Sequence, residues 1–184
     1  MSDGWTAVLP FKANGLSKTR LSLPEARQLA QLWLTRALEQ CLAASSVSST
    51  WVVSLGDQLQ LPSGVGWMRQ AGSGLNEGLR EWYSLHRPRR WLVILPDLPD
   101  VQAADLEALL AQCPAGGVAL APDRHRQGCN ALAVRDCHPE LVFGVSSFQR
   151  FQAQGLNCAV VERGGLANDV DTLEDWNCLR CQHR

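Results

Sequence analysis

Apolar residues along this chain follow two periods. Short unbroken runs recur, the clearest being Trp91-Leu92-Val93-Ile94-Leu95, which leads straight into Pro96-Asp97-Leu98-Pro99. A continuous apolar run bounded by turn residues reads as a strand buried on both faces. Residues 6–11, 50–54, 117–121, 130–134 and 157–161 have the same character, and residues 66–70 a weaker form of it. Between these runs the period becomes helical. Leu29, Trp33, Ala37 and Cys41 recur at a spacing of four, flanked by Ala30, Leu34 and Leu38, giving one apolar face that ends near Leu42. Ser22-Leu23-Pro24-Glu25 supplies an S-x-x-E capping box for that helix, with proline in its first turn. Further helices are expected over residues 77–85, over 103–113 with Leu106, Leu109 and Leu110 inward, over 146–154, and after Thr172. Residues 43–49 read as a loop of small residues. Strands alternating with helices predict a mostly parallel sheet covered on both faces. No repeat or linker divides residues 1–184, so a single domain is expected.

Composition narrows the function classes. Of the 184 residues, 46% are hydrophobic and 19% charged, enough for a sizeable core. The formal net charge of -1 argues against a general nucleic-acid binder, so any basic site must be local. No apolar run reaches the length of a membrane span. Met1-Ser2-Asp3-Gly4-Trp5 lacks a basic region followed by an apolar stretch, so no signal peptide is expected and the cytoplasm is the expected compartment. The 7 cysteines are odd in number and sit among apolar neighbours, as reduced core thiols do. Cys178 and Cys181 form one C-x-x-C near His183, without the second pair a zinc site needs.

Three places carry residues suited to chemistry. Asp97 stands between two prolines at the carboxyl end of a buried strand, where ligands bind in open α/β sheets; a solvated turn aspartate reads the same way. Lys12, Lys18 and Arg20 occupy a loop between a strand and a helix N-terminus. Such a loop suits a polyphosphate, although the spacing is no Walker A motif and basic surface loops are common. Asp169 and Asp171, two apart, would point to one side of an extended segment. With Asp97 they would form an oxygen-rich site for Mg²⁺; the other reading of Asp-x-Asp-Thr is helix capping, which Thr172 alone would satisfy, leaving Asp169 no capping role. Gly72, Gly74 and Asn76 precede a helix, where they would allow close approach of a flat ligand or simply start the helix. Ser147 could hold an anion or be a cap.

Six segments, in order, resemble the 2-phospho-L-lactate guanylyltransferase family of coenzyme F-420 biosynthesis. They are P-F-K-A-N-G-L-S-K-T-R-L at residues 10–21, G-L-N-E-G-L at 74–79, P-D-L-P at 96–99, G-C-N-A-L at 128–132, F-G-V-S-S-F at 143–148 and D-V-D-T-L-E-D at 169–175. The resemblance implies a three-layer α/β/α sandwich with a mostly parallel mixed sheet, of the nucleotide-diphospho-sugar transferase (GT-A) type. It implies that Pro10, Lys12, Lys18, Arg20, Gln70, Gly74, Leu75 and Asn76 bind GTP, with the three cations on the triphosphate and residues 74–76 at the guanine. Asp97, Asp169 and Asp171 would hold Mg²⁺, and Lys12, Lys18, Arg20 and Asp97 would be catalytic. Cys129, Asn130, Gly144 and Ser147 would bind the acceptor, a small phosphorylated acid such as 2-phospho-L-lactate, phosphoenolpyruvate or 3-phosphoglycerate. A homodimer is compatible with these features, and neither nucleic acid nor membrane is expected as a partner.

The chain departs from the family pattern in three places, all in the implied acceptor pocket. Cys129 replaces a threonine, Val145-Ser146 replaces Pro-Gly, and Phe151 stands where a histidine is frequent. The implied metal carboxylates are untouched. The alternatives are another nucleotidyltransferase of this fold, of molybdenum-cofactor or sugar-phosphate type, or a catalytically silent nucleotide-binding relative. The first lacks support from the segment at 10–14, which is not the glycine-rich G-G-x-x-x-R start of those enzymes.

Overall fold

A computed structural model describes residues 4–12, 26–56, 59–72 and 74–170. In chain order the elements are β1 (Trp5–Lys12), α1 (Ala26–Ala43), β2 (Val47–Leu55), β3 (Val65–Arg69), α2 (Leu75–His86) and β4 (Arg90–Ile94). They continue with α3 (Ala103–Gln112), β5 (Gly117–Pro122), β6 (Cys129–Arg135), α4 (Ser147–Gln152), β7 (Asn157–Val160) and α5 (Gly164–Ala167). The strands form one 7-stranded sheet in the order β3-β2-β1-β4-β6-β5-β7. All neighbours are parallel except β6, which is antiparallel to both β4 and β5. The sheet is thus mostly parallel, as the alternation of elements predicts, and mixed, as the resemblance implies.

The apolar alternation divides cleanly between two layers. Ala7, Leu9, Val52, Leu92, Ile94, Ala119, Ala121, Ala131 and Ala133 meet Leu34 and Leu38 of α1 and Leu106 and Leu109 of α3. Val8, Val53, Trp91, Val93, Val118, Leu120, Leu132 and Val134 meet Leu79 and Trp82 of α2 and Phe148 and Phe151 of α4. β4 therefore buries both faces, Leu92 and Ile94 to one side and Trp91 and Val93 to the other. Each fully buried leucine of this kind contributes about 1.5–3 kcal/mol from area removed from water. Small alanines on β5 and β6 let α3 approach that half of the sheet. Among the described residues, no helix is long and apolar enough to cross a membrane.

Two elements differ from the sequence reading. β2 begins at Val47, inside the stretch expected to be a loop, because parallel pairing with β1 overrides the low strand propensity of Ser48 and Ser49. Its entry is fixed by Glu107 of α3, whose carboxylate accepts from the Ser46 backbone N–H at 2.8 Å and from the hydroxyls of Ser45 and Ser46. The short helix α5 was not anticipated, since Gly164-Gly165 is a poor helix start. The capping box at Ser22–Glu25, the helix expected after Thr172 and the Cys178/Cys181 pair lie outside the described residues.

Chain order creates a switch point. From β1 the chain moves outward through β2 to β3, then crosses to β4 on the other side of β1. The β1–β4 ladder ends at Val8–Val93, whereas β1 runs on to Lys12. Pro10 lies beyond that ladder, where a missing N–H deprives no partner on the β4 side. Ligands of open α/β sheets bind in the crevice that such a reversal leaves at the carboxyl ends of the strands.

Candidate active site

The sequence-predicted residues within the described chain gather at that edge of the sheet. Lys12 is the last residue of β1, Gln70 follows β3, and Asp97 follows β4. Cys129 and Asn130 open β6, which runs antiparallel to β4 and so begins where β4 ends. Lys18, Arg20 and Asp171 lie outside the described residues.

The carboxylate corner is built on backbone. The Pro96-Asp97-Leu98-Pro99 turn is anchored by the buried Leu98 and closed by the Val101 N–H donating to Leu98 O at 3.3 Å. Asp97 O in turn accepts from the Val170 N–H at 3.2 Å, so the backbone between Asp169 and Asp171 is fastened to that of Asp97. Oδ1 of Asp97 is buried. Asn130, itself buried, donates through Nδ2 to Leu166 O at 3.0 Å and to Asp169 Oδ1 at 3.3 Å. Its backbone O accepts from Leu95 N–H at 2.9 Å, tying β6 to the end of β4. Among the described residues no group of three His, Cys, Asp or Glu side chains is placed to hold a metal ion. Asp97 and Asp169 nonetheless offer an all-oxygen, anionic donor set, which fits a hard cation such as Mg²⁺ and not a thiolate- or imidazole-seeking metal.

Helix α5 delivers Asp169 to this corner. Arg163 precedes α5, and its Nε donates to Asp105 Oδ1 at 2.9 Å. The other oxygen of the buried Asp105 accepts from the Gln102 N–H at 3.1 Å at the start of α3. A Cβ on Gly165 would collide with Asp105 Oδ2 and lie 2.9 Å from Asp100 O. Arg124 N–H donates to Ala167 O at 3.0 Å, joining the end of α5 to the β5–β6 loop. That loop is organised by Asp123, whose carboxylate accepts from the N–H groups of His125, Gln127 and Gly128. None of Asp105, Asp123, Arg163 and Gly165 was singled out from the sequence. An aspartate five residues before a glycine was the one available signal, for Asp123.

The glycine turn before α2 is braced from within. Gln70 is buried, and its Nε2 donates to Gly72 O at 2.6 Å and Gly74 O at 3.1 Å. Glu77 accepts from the Gly74 N–H at 3.2 Å, and Glu81 from the Ala71 N–H at 2.9 Å. A Cβ at Gly78 would collide with the Gln70 amide, so helix and turn meet closely. Gly74 and Leu75 are half-buried at the mouth of this turn. Asn76 turns its amide onto Phe143: Nδ2 donates to Phe143 O and Oδ1 accepts from Phe143 N–H, each at 2.9 Å.

Phe143 opens the loop to α4. Gly144 has φ +126°, in the region that favours glycine. Val145 is exposed and Ser146 takes φ 53°. Ser147 is buried, and its Oγ accepts from the Cys129 N–H at 2.9 Å. The Cys129 thiol donates to Ala131 O at 3.2 Å, and burial pushes its pKa far up, so it stays protonated and is no nucleophile. Phe151, where a histidine is frequent, is a core residue that meets Phe143 edge-on at 5.1 Å. A cleft of about 680 Å³ bordered by Tyr83, Arg87, Arg89 and His138 holds none of the predicted site residues and lies where β4 begins, away from this edge.

A family model described as guanylyl transferase CofC like matches residues 5–179. The phosphoenolpyruvate guanylyltransferase of Sphaerobacter thermophilus is 38% identical, over 92% of this chain and 89% of that protein. The 3-phospho-D-glycerate guanylyltransferase of Phenylobacterium zucineum is 34% identical, over 92% of this chain and 86% of that protein. In fold, the chain is similar to a nucleotidyl transferase from Methanothermobacter thermautotroptrophicus, with TM-score 0.69, 13% identity and 98% of each chain covered.

Proposed function

Because this chain belongs to the CofC-like guanylyl transferase family, we propose that it transfers GMP from GTP to the phosphate of a small phosphorylated acid, releasing pyrophosphate, in coenzyme F-420 biosynthesis. The acceptor is 2-phospho-L-lactate, phosphoenolpyruvate or 3-phosphoglycerate. The observation that carries the reading is the fastening of the backbone beside Asp169 to Asp97 through the Val170 N–H, at the carboxyl end of β4.

In this reading a phosphate oxygen of the acceptor attacks the α-phosphorus of GTP. A new P–O bond forms, the bond to the β-phosphate oxygen breaks, and the electron pair leaves with pyrophosphate. The attacking phosphate needs no base, since a phosphate monoester has a second pKa of about 6. This agrees with a site in which the one cysteine is buried and protonated. The protein's task is to bring two anions together and hold them in line. Lys12, Lys18 and Arg20 bind and neutralise the triphosphate. Gly74 and Leu75 receive the guanine, on a turn that Gln70 stiffens from behind. Asp97, Asp169 and Asp171 hold Mg²⁺, which when bound neutralises charge on the phosphates. Asn130 orients Asp169 by donating to its Oδ1. The loop after Phe143 and the start of β6 receive the acceptor, with Gly144, Ser147, Cys129 and Asn130 around it.

The test is incubation of the protein with GTP, Mg²⁺ and each of the three acids in turn, with pyrophosphate measured. Release with at least one acid and the matching guanylylated product by mass spectrometry is the expected result. Measurable GTP binding with no release for any of them would favour a silent nucleotide-binding relative.

A further inference from the structure

Helix α2 carries three side chains that grip one segment of chain. Asn76 is bonded in both directions to the Phe143 peptide, at 2.9 Å each way. One turn along, an Arg80 guanidinium N–H donates to Leu141 O at 3.2 Å. Tyr83 follows, its hydroxyl 2.6 Å from His138 Nδ1. Spacings of four and three put these residues on one helix face. As α2 advances from Asn76 to Tyr83, the gripped segment runs back from Phe143 to His138, so the two lie antiparallel.

The grip ends where the acceptor loop begins. Phe143 is buried, and Gly144 follows it with φ +126°. At its far end the loop is fixed by Ser147 Oγ on the Cys129 N–H. Between these two anchors, Gly144 and Val145 are exposed. On the helix side of the same end of the grip, Asn76 comes just after the braced turn of Gln70, Gly72 and Gly74. The Asn76 side chain is the bridge between the two loops. Its oxygen and one of its N–H bonds are already engaged there, leaving one N–H and one oxygen lone pair.

We propose that Asn76 is a positioning residue for the acceptor loop: its amide clasp on Phe143, extended by Arg80 on Leu141, makes the turn before α2 and the loop of residues 144–146 move as one unit. Acceptor affinity then depends on α2 through this clasp. The inference rests on the reading that residues 144–147 bind the acceptor, and it gives Asn76 a different task from contact with guanine. It also requires that Arg80, one turn from the glycine turn, affect the acceptor.

The experiment compares N76A and R80M with the wild type in three readouts: acceptor KM, GTP dissociation constant by calorimetry, and exchange of the Phe143 amide proton. Loss of two hydrogen bonds that are half-shielded from water predicts a rise in acceptor KM of roughly tenfold for N76A, with GTP affinity changed less than about twofold. R80M shifts acceptor KM in the same direction by a smaller factor. Exchange at Phe143 accelerates in N76A, because its N–H loses its acceptor. A GTP dissociation constant that rises more than the acceptor KM, with Phe143 exchange unchanged, overturns the proposal and makes Asn76 a base contact. If the wild type releases no pyrophosphate with any acceptor, the functional reading fails on its own. The exchange comparison still judges the clasp, supported by faster exchange in N76A and overturned by equal rates. R80M, altering an exposed residue, provides the kinetic test should N76A fold poorly.

Discussion

Gly164 and Gly165 are adjacent, and the structure predicts opposite responses to the same change. A Cβ at Gly164 meets nothing within 4 Å, whereas one at Gly165 would collide with Asp105 Oδ2 and stand 2.9 Å from Asp100 O. Asp105 has little freedom to yield, being held by the Gln102 N–H and by Arg163 Nε. The backbone at Asp100 cannot swing aside as a flexible side chain would. In G165A the helix α5 must therefore move, by an amount on the order of 1 Å. Overpacking of this kind costs about 1–3 kcal/mol, a fall in Tm of roughly 2–4 °C per kcal/mol for a chain of this size. The same movement displaces Leu166 O and Asp169 from Asn130, and a shift of about 1 Å at a positioned group costs up to roughly 10²-fold in rate. G164A should lose none of this and gain up to about 1 kcal/mol from reduced freedom of the unfolded chain. The assays are thermal unfolding and the dependence of pyrophosphate release on Mg²⁺ concentration. If G165A matches G164A in Tm and in half-saturating Mg²⁺, then α5 does not set the position of Asp169 and the reasoning fails.

Other perturbations address other parts of the molecule. Hydrogen bonds from the Ser46 hydroxyl and then the Ser46 backbone hold the Glu107 carboxyl below its ordinary value of 4.5. A depressed folded pKa means stability present above the unfolded value and lost as pH falls through the folded one. Wild type should accordingly exceed E107Q in stability at neutral pH, with the gap closing below about pH 4.5 in parallel denaturant titrations. S147A leaves the Cys129 N–H without its buried acceptor and should cost about 1–3 kcal/mol by denaturant unfolding, with acceptor KM raised more than GTP affinity is weakened. An S147A protein as stable as wild type would mean another group takes up that N–H.

Much of the fold was legible in the sequence because the strands are buried on both faces, and apolar runs of that kind are hard to place otherwise. The run at 91–95 became β4 with one residue of drift at each end. The sheet's mostly parallel character also fitted the pattern, whereas the reversal at β6 depends on a hairpin, whose loop Asp123 organises by accepting three backbone N–H groups. No periodicity signals such a loop. β2 was extended by Val47 and its serines through pairing with β1, a tertiary effect that local propensity does not contain. The motif residues within the described chain were found at one edge. The clasps between them were not foreseeable, because Asn76 and Phe143, like Asp105 and Arg163, are far apart in sequence and meet only through the fold. Lys18, Arg20 and Asp171, which the resemblance places in the same site, lie outside the described residues.

Asp97 carries the central claim, that this edge of the sheet binds the metal-bound triphosphate for nucleotidyl transfer. The direct measurement is the rate of pyrophosphate release by D97N beside that of wild type, at saturating GTP, Mg²⁺ and acceptor, with the Tm of each. Asn is nearly isosteric, and Asp97 O still accepts from the Val170 N–H. The account predicts a rate lowered roughly a hundredfold or more, at a Tm close to that of wild type. A D97N protein that turns over at near the wild-type rate would contradict it.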